Sequence, residues 1–151
     1  MHALDREIDR LGQLIAQGEQ IFMQWAKQKG INYNQFAILD ALYRYQSCTQ
    51  KQICEQWALP KQTVSTLCRQ LQQQGDIVLQ DSLEDKREKQ MSLTAQGKDK
   101  IQALSEDFSQ MQHQAFARLG TEKTEQTIAN MRLLNQYFLE YIQQQNSEPS
   151  D

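Results

Sequence analysis

Histidine occurs only twice in this chain, at His2 and His113, and cysteine three times, at Cys48, Cys54 and Cys68. Two histidines leave few ligands for a transition metal and few candidates for a general base. The thiols are odd in number and lack the close pairing of a zinc ribbon. With no export signal they read as reduced cysteines of a cytoplasmic protein rather than a disulfide framework. Two prolines and six glycines in 151 residues exclude collagen-like and Pro-rich chains and speak against an all-β fold with many tight turns. No apolar run approaches the roughly 18 residues that a membrane span needs. Met1-His2-Ala3-Leu4-Asp5-Arg6 mixes charge with apolar residues and does not read as a signal peptide. A Ser-His-acid set, a Gly-rich phosphate loop and clustered carboxylates are all missing, so no enzyme, no cofactor and no metal site is expected.

What is present suits one soluble domain with a real core: 39% hydrophobic and 23% charged residues, and a mean hydropathy of -0.74. The net charge of -3 taken alone argues against nucleic acid, but its distribution matters more than its total. Lys and Arg match Asp and Glu five to five over residues 1–48, exceed them seven to six over 49–98, and fall short four to eight over 99–151. Glutamine occurs 27 times, spread through helical segments, and reads as polar helix surface rather than a low-complexity tract.

Hydrophobic spacing lays out the elements. Leu4, Ile8, Leu11, Ile15, Gly18, Phe22 and Trp25 recur in alternating steps of four and three, a heptad seam on a long helix that needs a partner. Gly30 is a plausible stop. Phe36, Leu39, Ala41, Leu42 and Tyr43 mark a second helix over 33–45. Thr49 has the character of an N-cap for a helix that buries Ile53, Cys54 and Trp57. Leu59-Pro60 breaks that helix and opens another at about 61–74, with Val64, Leu67, Cys68 and Leu71 inward and Gly75 as its stop. Two short helices on a tight turn make a helix-turn-helix over about 49–74. The period then changes. Ile77-Val78-Leu79 and Met91-Ser92-Leu93-Thr94 flank a polar run, which predicts a two-stranded hairpin over about 76–94 with a long charged loop. Ile101, Leu104, Phe108, Met111, Ala115 and Leu119 restore helical spacing, Gly120 interrupts it, and Ile128, Met131, Leu134, Phe138 and Ile142 mark a last helix. Residues 147–151 are expected to be a disordered tail.

Within this order, residues 49–98 resemble the winged-helix core of the MarR (multiple-antibiotic-resistance regulator) family. The matching pieces are Thr49-Gln50-Lys51-Gln52-Ile53-Cys54, Leu59-Pro60-Lys61-Gln62-Thr63-Val64-Ser65, Leu71-Gln72-Gln73-Gln74-Gly75, and Asp85-Lys86-Arg87 followed by Met91-Ser92-Leu93-Thr94 and Gly97. The last is the most specific. The resemblance implies a mainly α fold with a small β-hairpin wing: a single domain over 1–146, with a DNA-binding core over 33–94 and dimerisation helices over 4–29 and 95–146. It further implies a cytoplasmic, homodimeric regulator of transcription, a repressor that releases DNA when a ligand or modification changes the spacing of its recognition helices.

The residues themselves agree on how DNA is met. A recognition helix enters the major groove by its N-terminal turns, and Lys61, Gln62, Thr63, Ser65, Thr66 and Arg69 are the polar residues there. Gln62 suits bidentate pairing with adenine, and Lys61 or Arg69 guanine or phosphate. Thr63 and Ser65 suit phosphate or mixed contacts. In the wing, Arg87 is expected in the minor groove, where a guanidinium reads narrow width and negative potential. Asp85 is expected to pair with Arg87 and orient it, and Lys86 and Lys89 to add phosphate contacts. Asp81, Glu84 and Glu88 depart from a strongly basic wing and imply modest non-specific affinity with steep salt sensitivity. One such motif reads only about half a turn of bases, so a dimer on a palindromic operator is expected.

Regulation is read by elimination. Metal-sensing members of the family use several ligands, and His113 is the one usable histidine here. Oxidant-sensing members carry a cysteine in the first helix, and this chain has none there. Cys54 and Cys68 are expected to face inward, leaving Cys48 as the exposed and reactive thiol. Ordinary core packing is the first use of the aromatic group at Trp25, Tyr33 and Phe36, with Tyr43 and Tyr45 nearby, and a crevice there for a small aromatic or lipophilic effector is the second. Two alternatives stay open: a winged helix that binds another protein, and a thiol-based oxidant sensor.

Overall fold

The computed structural model describes residues 3–81 and 89–147. The elements are α1 (Ala3–Gln28), α2 (Tyr33–Tyr45), β1 (Ser47–Thr49), α3 (Gln50–Trp57), α4 (Lys61–Gln73), β2 (Ile77–Asp81), β3 (Lys89–Leu93), α5 (Ala95–Leu119) and α6 (Thr121–Ser147). They fall into two compact units, one up to Glu106 and one from Asp107 onward. No helix among the described residues is long and apolar enough to cross a membrane.

In the first unit, α2 is the central helix. Asn32 caps it, its side-chain oxygen accepting from Asn34 N at 3.0 Å and Gln35 N at 3.2 Å. Every residue from Phe36 to Leu42 is buried, so α2 is enclosed on all sides instead of presenting one stripe. That enclosure takes in Asp40. Its carboxylate is matched by Arg44 Nε at 2.9 Å and by a hydrogen bond donated from Ser105 of α5, which is how a buried charge is tolerated. Around α2 gather Trp25, Ile53, Val64, Leu71, Ile77, Met91 and Ile101, all buried.

The sheet has three strands in the order β1-β3-β2, all antiparallel. The expected two-stranded hairpin is present, and β1 is an addition to it. Ser47–Thr49 pairs with Gln90–Ser92 at the far edge of β3. Three residues carry no alternation of their own, so this strand exists because β3 offers its free edge. Thr49 ends β1 and caps α3 through a reciprocal pair of bonds: Thr49 N donates to Gln52 Oε1 at 2.8 Å, and Gln52 N donates to Thr49 Oγ1 at 3.2 Å.

Helix α4 closes on Gly75, whose φ of +79° favours glycine. Gly75 N donates to Gln72 O at 3.0 Å and Asp76 N to Leu71 O at 3.0 Å, the two bonds of a Schellman stop. Thr94 then starts α5, its hydroxyl accepting from Gly97 N at 3.0 Å. Gly97 has no room for a side chain: a Cβ there would lie 2.0 Å from the carbonyl oxygen of Asp76. This contact accounts physically for the glycine that follows the Leu-Thr pair.

In the second unit, α6 follows the break at Gly120 and runs through Ser147, so residue 147, expected in the tail, is helical, and residues 148–151 lie outside the described residues. Ile128, Tyr137, Phe138 and Ile142 of this unit are exposed, as are Leu4, Ile8 and Ile15 of the first. The N-terminal half of the heptad seam therefore has no cover within the first unit, the situation its spacing predicts for a helix awaiting a partner.

Candidate nucleic-acid interface

Helix α4 is built as a two-faced helix. Val64, Cys68 and Leu71, at steps of four and three, are fully buried against the core. Lys61, Gln62, Thr66 and Arg69 are exposed, and Thr63 and Ser65 are half-buried at the margins. The six residues of α4 expected to meet DNA thus lie on or beside one outward face of the helix. The turn before it places Ala58 in the left-handed region at φ +50°, and Pro60, at φ −58° and ψ 139°, is the N-cap of α4, its carbonyl accepting from Val64 N at 3.1 Å. Ile53 of α3 is fully buried, while Cys54, Trp57 and Leu67, all expected inward, are half-buried.

Beside α4, a groove of about 580 Å³ runs between the first turn of α3, the first residue of α4 and the root of the wing. Lys51, Lys61 and Lys89 line it. Lys51 was visible in the sequence only as part of the Thr49–Cys54 match. It lies two residues after the cap Thr49, in the first turn of α3, where backbone N–H groups also point outward.

At the wing root, β2 and β3 pair from Ile77↔Leu93 to Asp81↔Lys89. Lys89 Nζ lies 2.7 Å from Asp81 Oδ1 with both side chains exposed, a pair worth little in stability. The residue expected to touch phosphate therefore shares its ammonium with a neighbouring carboxylate. Asp85, Lys86 and Arg87, with Glu84 and Glu88, lie outside the described residues.

The thiols differ from expectation at two positions, Cys48 and Cys54. Cys48, expected to be exposed in a loop, is buried at 5% exposure, because it lies in β1 opposite Met91. Burial also pushes its thiol up from the ordinary range. Cys68 is pushed up to about 11, by burial first and then by the nearby Cys54 sulfur. Both are held away from the thiolate form that oxidant sensing requires. Cys54 is half-buried and lines the groove with the lysines.

The aromatic residues do come together. Trp25 and Phe36 meet edge to face with centroids 4.7 Å apart, Tyr33 stacks 6.2 Å from Phe36, and Phe22 stacks 5.9 Å from Tyr33. Trp25 and Phe36 are closed to solvent, so they serve as core. Tyr33 alone of the expected three lines an open depression of about 450 Å³ that also touches Met23, Lys27 and Ile31. Its hydroxyl is pushed up by burial and by the charge of Asp40. Tyr45 stands apart, exposed, with its hydroxyl accepting from Gln56 Nε2 at 3.3 Å. His113 is exposed on α5, and among the described residues no group of three His, Cys, Asp or Glu side chains is placed to hold a metal ion.

Comparison with known proteins gives a consistent picture. The MarR family model matches residues 29–88. A MarR family regulator from Neisseria meningitidis, NMB1585, is 36% identical, covers 92% of this chain and 98% of its own, and superposes with a TM-score of 0.83. Staphylococcus aureus MepR in its DNA-binding conformation is 26% identical over 87% of this chain and 98% of its own, with a TM-score of 0.73. The same protein has been solved as a complex with DNA, at a TM-score of 0.69. An HTH-type transcriptional regulator of S. aureus is 26% identical over 75% of this chain and 79% of its own length.

Proposed function

The chain belongs to the MarR family, as a DNA-binding transcription regulator with a winged helix, and from that premise we propose that it is a homodimeric repressor that reads a palindromic operator through α4 and the wing. The observation that carries this reading is α4 itself. It offers Lys61, Gln62, Thr66 and Arg69 outward from a helix fixed by the buried Val64, Cys68 and Leu71. Gln62 and Arg69 make base contacts in the major groove, and Lys51 and Lys61 hold phosphates beside it. Arg87 enters the minor groove, with Asp85 orienting it and Lys86 on phosphate. The uncovered apolar residues of α1 and α6 form the dimer contact, since exposed apolar surface of this extent marks an interaction site. MepR, seen on DNA, supports the DNA reading.

The chain acts by binding rather than by catalysis, and a small aromatic or lipophilic effector relieves repression by occupying the depression beside Tyr33. The burial of Cys48 and Cys68 supports this over a thiol switch. Arg87→Ala tests the DNA reading. It is expected to weaken binding to a duplex selected by the wild type by about 1–3 kcal/mol while leaving the dimer intact. Unchanged affinity at matched salt would remove the wing from the interface. For regulation, peroxide and zinc chelation are each expected to leave wild-type DNA binding as it is. Release by either one overturns the effector reading.

A further inference from the structure

The joint between α4 and α5 is held by directed bonds as well as packing. The turn that closes α4, Gln74-Gly75-Asp76, presents three carbonyls, and the start of α5 takes all three. Gln96 Nε2 donates to Gln74 O at 2.8 Å, Thr94 Oγ1 to Gly75 O at 2.6 Å, and Thr94 N to Asp76 O at 3.0 Å. The side chain of Asp76 adds a second layer. It is 1% exposed, with Oδ2 2.6 Å from Lys100 Nζ and Oδ1 accepting from Gln96 Nε2 at 2.9 Å. A buried carboxylate that keeps both partners is stable in place, and removing one leaves a charge uncompensated.

Asp76 is also where three pieces of the DNA-reading machinery meet. It follows the stop of α4, precedes the first residue of β2, and bonds the first two turns of α5. Apolar packing would fill the same space without fixing direction, whereas a satisfied polar network specifies one arrangement. We propose that Asp76, clamped by Lys100 and Gln96, is a positioning residue for DNA reading. It locks the end of α4 and the start of the wing to α5, so that these elements move as one body. A displacement of α5 then carries the recognition helix with it instead of being absorbed in the turn. The proposal rests on the DNA reading given above for α4 and the wing.

The test has two arms, using the full chain as wild type, Lys100→Gln, Asp76→Asn and the conservative Lys100→Arg. The first arm is hydrogen exchange without DNA. In Lys100→Gln and Asp76→Asn, the amides of Asp76, Thr94 and Gly97 are expected to exchange about tenfold faster or more, as for loss of one local contact. Amides of the central helix α2 are expected to keep their protection, and Lys100→Arg to restore the wild-type pattern. No change at the joint, or equal acceleration throughout the chain, overturns the clamp. The second arm compares a duplex selected by the wild type with the same duplex carrying two extra base pairs between its half-sites. Lys100→Gln is expected to lose roughly threefold or more of the wild type's preference for the original spacing, and Lys100→Arg to keep it. Unaltered preference in Lys100→Gln overturns the positioning role even where exchange shows the clamp. If the wild type selects no duplex, the DNA reading fails and the positioning role with it, while the exchange arm still decides whether the clamp exists.

Discussion

Gly97 and Gly12 make opposite predictions from the same chemistry. A Cβ at Gly97 would meet the Asp76 carbonyl at 2.0 Å, whereas one at Gly12, inside α1, meets nothing within 4 Å. Gly97→Ala is therefore expected to destabilise the fold by about 2 kcal/mol or more, as overpacking against backbone does. Gly12→Ala is expected to stabilise it by about 0.5–1 kcal/mol through helix propensity. Urea midpoints of the two variants check both signs. Cys68 gives a pH prediction. Its thiol has an ordinary pKa of 9.0 and is pushed up to about 11 in the fold, so the folded state holds a proton that the unfolded chain releases. Its contribution to stability is complete below pH 9 and is lost as pH rises toward 11. Urea unfolding at pH 8 and pH 10.5 is expected to show a smaller alkaline loss in Cys68→Ala than in the wild type. An equal loss would place the titration elsewhere. The inward place of Cys68 was legible from its spacing with Val64 and Leu71. The burial of Cys48 was not, because it depends on a strand pairing that brings together residues 43 positions apart, Cys48 and Met91.

Helix α3 shows how far local chemistry carries. Thr49 could be read as a cap from the chain alone, and Gln52 three residues later completes the reciprocal pair seen in the structure. Thr49→Ala is expected to cost about 1 kcal/mol, measured by thermal or urea unfolding. The turn after α3 holds Ala58 at φ +50°, a conformation that glycine adopts without the Cβ penalty. Ala58→Gly is accordingly expected to leave stability unchanged or raise it, and a loss above about 1 kcal/mol would contradict the left-handed assignment. Helices α1, α4, α5 and α6 announced themselves by period, and α4 also by its Pro and Gly boundaries. Two features escaped such reading. The strand β1 has no periodicity to show, and Asp76 looks like one more turn residue until Lys100, Gln96 and Thr94 close around it. Both depend on contacts distant in sequence, which a single-chain pattern does not register.

The uncovered seam of α1 and the apolar residues of α6 set the terms for the whole molecule. Ile8 and Phe138 are each more than half exposed, so Ile8→Asp or Phe138→Asp removes nothing from the core around α2. Each places a charge in the proposed dimer contact, and each is expected to lower the mass found by light scattering toward one chain. Retention of the wild-type mass in both variants would place the contact elsewhere. The seam was legible in the sequence as a need for a partner; which surface covers it was not, because one chain carries no record of the second. The most direct measurement of the account is selection of duplexes from a random DNA pool, followed by titration of the winning duplex across salt concentrations. The account predicts an inverted repeat with half-sites about one helical turn apart, bound by two chains, with affinity falling linearly in log salt and weakened by Gln62→Ala at a base within each half-site. Enrichment of no sequence, or of a lone half-site bound by one chain, would contradict it.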